Sequence, residues 1–249
     1  MSLKNRVVLV LGASGNIGAG AVRAFLLSGS HVIAPTRTPE GTTKLVDFLA
    51  RTQAIYEPDH LIPVVTDVGT PKGAEAVAKI VEERFEGKLD HVVSSSGPWW
   101  QAPNFDAIDY SLYRKAMDAN YETHFVVYNA VAKYLLKRDS NPSYTVVTGM
   151  AADNLGTGIT GLSQLFLRSL TQHLIFQTAS TPLRVNELRI GVRVDMDQPG
   201  VEPSQEWQMK SSEFGRVFER IAMGSVKGEV VEAVKVEQVR ALVDGRTKL

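Results

Sequence analysis

Val7-Val-Leu-Val-Leu-Gly-Ala-Ser-Gly-Asn-Ile-Gly18 decides how the rest of the chain is read. Its first five residues, Val7 to Leu11, are apolar without alternation, the pattern of a strand buried on both faces in a parallel sheet. Gly12, Gly15 and Gly18 follow at three-residue spacing, and Ala19 to Leu27 continues as an apolar helix. A strand, a glycine-rich turn and a helix in that order aim the helix N-terminal amides at a phosphate, and glycine lets the backbone approach it. Such glycines also occur at helix starts with loose turn chemistry. The strand before them and the helix after them are what point to a dinucleotide here. The expected contacts are Gly12, Ser14, Gly15, Asn16, Ile17 and Gly18.

The chain has 249 residues, 44% apolar and 22% charged, enough for a full core, and is read as one domain over residues 1–249. Lys plus Arg and Asp plus Glu number 27 each, so neither nucleic acid nor a membrane surface is indicated as a partner. There is no cysteine, which excludes disulfides, thiolate catalysis and cysteine metal sites. The five histidines show no metal-ligand spacing, so no metal is expected. The first strand starts close to Met1, leaving no room for a signal peptide. No run of about 18 apolar residues could span a bilayer. A soluble cytoplasmic protein is the expectation.

Beyond the first helix, the pattern alternates. Strands are expected at His31–Ala34, Leu61–Thr66, Leu89–Val93, Tyr144–Thr148, Leu183–Leu188 and Glu229–Val236. Helices are expected over Gly41–Ala54, Lys72–Phe85, Ser111–Arg138, Leu162–Gln177 and Phe214–Ala222. Pro98–Pro103 reads as a loop, and Gly191–Ser212, rich in Pro, Gly and acids, as a mobile substrate loop. This alternation gives an α/β fold, a doubly wound parallel sheet of Rossmann type.

At this point the residues resemble the short-chain dehydrogenase/reductase superfamily over nearly the whole chain. Gly12-x-x-x-Asn16-x-Gly18 stands where that family has Gly-x-x-x-Gly-x-Gly, with Asn16 in place of the middle glycine. The resemblance implies that Asp67-Val68 binds the adenine amino group and that Ser95, Ser96 and Gly97 lie beneath the adenosine ribose. It also implies that Asn120 holds a proton-relay water. Arg184-Val-Asn186 followed by Gly191 resembles the family's Arg-Val-Asn…Pro-Gly and puts Gly191 at the cofactor. An acid at the end of the second strand would accept from the adenosine 2′-hydroxyl and favour NAD. Thr36 and Arg37 stand there, with no acid before Glu40. A guanidinium suits a 2′-phosphate, so NADP(H) is the expected cofactor; otherwise Arg37 is a solvated surface arginine.

The family's chemistry rests on Tyr-x-x-x-Lys, whose Tyr moves a proton as hydride is transferred. Aligned on that helix, Thr160 takes the Tyr position and Gln164 the Lys position, while Gly149 or Met150 falls at the serine. No register restores the motif, since Thr145 to Leu183 contains neither Tyr nor Lys. Asp153 is the nearest candidate replacement acid or base, and is otherwise an exposed loop carboxylate. Tyr113 and His124 share a helix face with Asn120 and are read first as packing residues.

Trp99, Trp100 and Trp207 all fall in loops that this fold sets over the strand C-termini, so with Met150 they are candidate contacts to a flat, apolar or aromatic ligand. The helix from Leu162 to Phe176 is apolar around most of its circumference, which suggests a homodimer or homotetramer. The function expected is an NADP(H)-linked oxidoreductase of a small molecule with a non-standard active site. The alternatives are a non-catalytic nucleotide-binding sensor or scaffold, or a redox-neutral cyclase or isomerase.

Overall fold

The five apolar residues Val7–Leu11 form β1, with every side chain buried. The computed structural model describes residues 2–100 and 104–249. From β1 the chain runs through α1 (Asn16–Leu27), β2 (His31–Thr36), α2 (Pro39–Arg51), β3 (Leu61–Val65), α3 (Pro71–Phe85) and β4 (His91–Ser94). There follow α4 (Tyr110–Met117), α5 (Thr123–Leu136), β5 (Ser143–Gly149), α6 (Gly158–Thr178) and β6 (Arg184–Ile190). The remainder holds β7 (Arg193–Asp195), β8 (Gln208–Lys210), α7 (Ser211–Phe214), α8 (Arg216–Met223), β9 (Val230–Ala233) and α9 (Val236–Val243).

Seven strands pair in the order β3-β2-β1-β4-β5-β6-β9, each pair parallel. This is the doubly wound Rossmann-like sheet read from the sequence. Strand order reverses between β1 and β4, the point at which open α/β sheets bind ligands beyond the strand C-termini. One face of the sheet packs on Phe25 and Val22 of α1, Phe48 of α2, Phe218 of α8 and Val239 of α9. The other packs on Val77 of α3, Val127 and Val131 of α5, and Leu167 of α6.

Local chemistry sets several boundaries differently from the periodicity. Helix α2 starts at Pro39, before Gly41, because Thr38 accepts from the Gly41 N–H and proline suits the first helical turn. Thr70 and Pro71 start α3 in the same way. The long helix expected from Ser111 to Arg138 is interrupted by a π-turn, Asp118–Glu122, between α4 and α5. Arg114 bridges Asp118 (2.7 Å) and Glu122 (3.0 Å) across it, and Thr123 Oγ1 donates to the Asp118 carbonyl. The expected helix at Phe214–Ala222 is two, α7 and α8, meeting at Gly215.

Gly191–Ser212 is not a loop without regular structure. Within it β7 and β8 form a parallel ribbon, with Val194 opposite Met209. Both side chains are buried against the face that carries α1. Single apolar residues in three-residue strands give no period to read, and their burial supplies the pairing. The last strand ends at Ala233, and the residues beyond it form α9.

Candidate active site

The turn after β1 brings Gly12, Ser14, Gly15, Asn16 and Ile17 to the wall of a 540 Å³ cleft at the strand C-termini. Gly12 has φ +69°, and a Cβ on Gly18 would lie 2.1 Å from the Gly12 carbonyl oxygen. Strand and helix therefore approach more closely than a side chain permits, and Gly18 is buried behind the turn. No side chain caps α1 and no acid sits in its first turn, which leaves its N-terminal amides to an anion. Thr36, Arg37, Val68, Ser95, Ser96 and Gly97 complete the wall, and Lys44 of α2 joins them. Among the described residues no carboxylate lines this cleft. Thr36 is buried, its Oγ1 donating to the Thr38 carbonyl at 3.2 Å, whereas Arg37 is exposed. Asp67 is exposed beside the cleft, not on its wall, and its Oδ1 accepts from the Gly69 N–H at 3.0 Å. A turn of this closeness, a bare helix N-terminus and an acid-free wall with two cations fit a dinucleotide.

Past Ile17, Ser95, Ser96, Gly97 and Trp99, which line both spaces, the cleft continues into an 820 Å³ cavity. Trp207, Met150, Thr160 and Gln164 line it, and so does Gly191. Gly191, expected at the cofactor, lies on this side because β6 carries it past the sheet edge, where its N–H donates to the Ala233 carbonyl at 3.1 Å. Among the described residues no Asp, Glu, His, Tyr or Lys lines the cavity.

Thr160 and Gln164 face the cavity with their strongest groups engaged on backbone. Thr160 Oγ1 accepts from the Trp100 N–H at 2.9 Å and donates to the Trp100 carbonyl at 3.0 Å. Gln164 Oε1 accepts from the Gly149 N–H at 2.8 Å. Trp100 lines neither space, contrary to expectation, because Thr160 holds its backbone. Its indole Nε1 is buried with no hydrogen-bond partner among the described residues. Residues 101–103 of the expected loop lie outside the described residues.

Asn120 sits fully buried in the π-turn, donating to Ser163 Oγ at 3.0 Å, while its Oδ1 has no partner among the described residues. Asp153 does not line the cavity. Both of its oxygens accept from Arg168, at 2.7 and 2.8 Å, and that hydrogen bonding holds its pKa below the usual carboxylate range. A carboxylate so paired is a poor acid.

Three features take their meaning from partners distant in the chain. Glu187 of β6 is fully buried, accepting from Thr148 Oγ1 at 2.6 Å and from Arg189 Nε at 2.8 Å. Thr148 lines the cavity, so a carboxylate lies one hydroxyl behind its wall. His124 is buried beneath the serine loop. Its Nε2 donates to the Ser96 carbonyl at 3.0 Å, so its Nδ1 accepts from Ser94 Oγ at 2.6 Å. Burial lowers its pKa to about 4. Arg184 and Asn186 bind backbone instead of ligand, with Arg184 donating to the Ala222 carbonyl at 2.9 Å and Asn186 to that of Val226 at 2.9 Å.

The short chain dehydrogenase family model matches residues 6–202. A short-chain dehydrogenase/reductase from Pestalotiopsis fici, iacG, is 30% identical over 227 residues, covering 89% of this chain and 88% of that protein. Galactitol 2-dehydrogenase of Agrobacterium fabrum is 26% identical, covering 95% and 85%. A solved short-chain type dehydrogenase/reductase from Mycobacterium ulcerans shares the fold, with a TM-score of 0.78 at 19% identity, covering 96% of this chain and 92% of that one. With its parallel sheet, its glycine turn and a family match over most of its length, the chain belongs to the short-chain dehydrogenase family.

Proposed function

We propose that this chain is an NADP(H)-dependent oxidoreductase acting on an apolar or aromatic small molecule, with an active site that has replaced the Tyr-x-x-x-Lys pair. One observation carries this reading. A cleft bearing Arg37 and Lys44 and, among the described residues, no carboxylate opens from the glycine turn into a cavity walled by Trp99 and Trp207. The family binds a nicotinamide cofactor, which supplies hydride chemistry when bound. The α1 amides hold the pyrophosphate, Arg37 and Lys44 pair with a 2′-phosphate, Asp67 and Val68 meet the adenine, and Ser95, Ser96 and Gly97 support the ribose. Trp99, Trp207 and Met150 contact the substrate. Gln164 keeps its Oε1 on Gly149 and turns its amide N–H groups to the substrate oxygen, orienting it without delivering a proton. Asn120, with an unsatisfied buried oxygen, holds a water near that oxygen.

Calorimetric titration tests the cofactor. NADPH is expected to bind about ten-fold more tightly than NADH, and Arg37→Ala to remove most of that difference. Equal affinities in the wild type refute it. The bonds of Thr160 and Gln164 to backbone favour a second reading, a nucleotide-binding sensor without turnover. NADPH that binds but is consumed with no aromatic aldehyde, ketone or quinone selects that reading.

A further inference from the structure

Asn16 is the first residue of α1 and stands where the resembling family has a glycine. Its side chain is exposed on the nucleotide cleft, yet Nδ2 donates to the carbonyl of Val194 at 2.8 Å. Val194 is the middle residue of β7, so this bond spans from the phosphate turn to the β7–β8 ribbon. Ser211, directly after β8, donates through Oγ to the Asn16 carbonyl. Below it the two segments touch backbone to backbone: a Cβ on Gly20 would lie 2.0 Å from the Ser211 carbonyl oxygen. The ribbon is thus fastened to the first turns of α1. Its neighbouring residues, Arg193 and Trp207, line the substrate cavity and are tied together by Arg193 N–H donating to the Trp207 carbonyl at 2.9 Å.

A primary amide has two N–H donors and an acceptor oxygen. In Asn16 one N–H is engaged by Val194, and the rest of the group faces a cleft whose helix N-terminus attracts anions. A phosphate oxygen on the second N–H fixes the side chain in the rotamer that also reaches Val194. The ribbon bond then forms on an amide already ordered, and the benefit is mutual: a fastened ribbon presents the amide to the phosphate. Linkage of this kind follows when one group can interact with both partners, and the Asn16 amide, bonded to Val194 on the cleft wall, is placed to do so.

We propose that Asn16 is a positioning residue coupling the nucleotide cleft to the substrate cavity, so that a phosphate engaged at α1 orders β7–β8 and with it Arg193 and Trp207. This rests on the nucleotide reading above. The glycine of the family pattern has no side chain with which to do it.

Hydrogen–deuterium exchange on the full chain, with and without NADPH, tests the coupling without requiring turnover. In the wild type NADPH is expected to slow exchange in peptides covering the α1 turn, and to slow the 193–210 ribbon about five-fold. In Asn16→Ala the slowing at α1 remains while the additional slowing at the ribbon is lost. A merely structural Asn16 would change ribbon exchange without ligand but leave the NADPH-dependent increment intact, so an unchanged increment overturns the proposal. Protection at α1 with none at the ribbon in the wild type also overturns it and leaves the nucleotide reading standing. Protection at neither place refutes the nucleotide reading and the coupling together. Asn16 is exposed, so the variant's melting midpoint is expected within about 2 °C of wild type, marking an intact fold.

Discussion

Thr160→Val removes one oxygen from a buried position and nothing else of size. Thr160 is 3% exposed, and its hydroxyl is the partner of both the N–H and the carbonyl of Trp100. With valine, two backbone groups lose their partners. A buried group stranded in this way costs about 1–3 kcal/mol. Trp100 is only half-buried, so water recovers part of that, and roughly 2 kcal/mol in total is the expected loss. In a chain of this length each kcal/mol moves the melting midpoint by about 2–4 °C, which gives a fall of roughly 4–8 °C. If the loop detaches before the fold melts, the midpoint moves less and tryptophan emission shifts to the red, because Trp99 and Trp100 gain water. Thermal unfolding read by circular dichroism, together with emission spectra, captures both. A variant with wild-type midpoint and wild-type emission refutes the anchoring role. The same geometry makes Thr160→Tyr with Gln164→Lys a disruptive change: the phenol has room in the cavity, but the exchange removes the hydroxyl that holds both backbone groups of Trp100 and so releases the tryptophan loop.

Lys44→Ala on top of Arg37→Ala is expected to abolish the remaining NADPH preference, and a double variant that still prefers NADPH in calorimetry places the 2′-phosphate elsewhere. Burial keeps His124 neutral down to about 4, whereas an unfolded histidine takes its proton near about 6.5. Stability is therefore full above that range and falls, on this group's account, by about 1.4 kcal/mol per pH unit as pH drops toward 4. His124→Gln removes one proton's share and leaves that of His91, whose pKa burial takes to about 3. Urea unfolding at a series of pH values checks it, and an unchanged slope counts against the buried neutral imidazole. Helix α6 exposes Leu165, Phe166 and Phe176, and α5 exposes Phe125. Phe166→Asp is expected to turn a dimer or tetramer into a monomer by light scattering, and a monomeric wild type at micromolar concentration overturns the assembly.

What was legible in the sequence was local and periodic. Five apolar residues, a glycine turn and an apolar helix identify the nucleotide edge because all three effects act within twenty neighbouring residues. The spacing of Val236, Val239, Leu242 and Val243 carries a helical period too, although it follows a strand so closely that the strand absorbs its start. Residues whose meaning comes from distant partners were not legible. Thr160 and Gln164 can be placed at the vacated positions by alignment, but their bonds to Trp100 and Gly149 exist only once the loops are folded over α6. Glu187 reads as a lone acid in a strand; its burial depends on Thr148 and Arg189 standing on either side. The π-turn has no compositional mark at all, since Asp118-Ala-Asn-Tyr-Glu122 would serve equally well in an ordinary helix.

That turn acts as a rotational offset within a single rod. In an α-helix each residue advances the angle by about 100°, so one residue added between α4 and α5 swings everything on one side of the change by roughly that amount about the axis. Helix α5 is fixed by Val127 and Val131 against the sheet, so α4 is the end that swings. Deleting a residue there closes the π-turn into ordinary helix with the phase kept, but inserting one between Asp118 and Glu122 would carry the buried Ala116 and Met117 away from the interior and bring neighbours such as Arg114 toward it. It would also withdraw Asn120 from Ser163. Length changes are ordinarily absorbed in loops; here the sensitive position lies inside a helix, and its tolerance to insertion is expected to be close to nil.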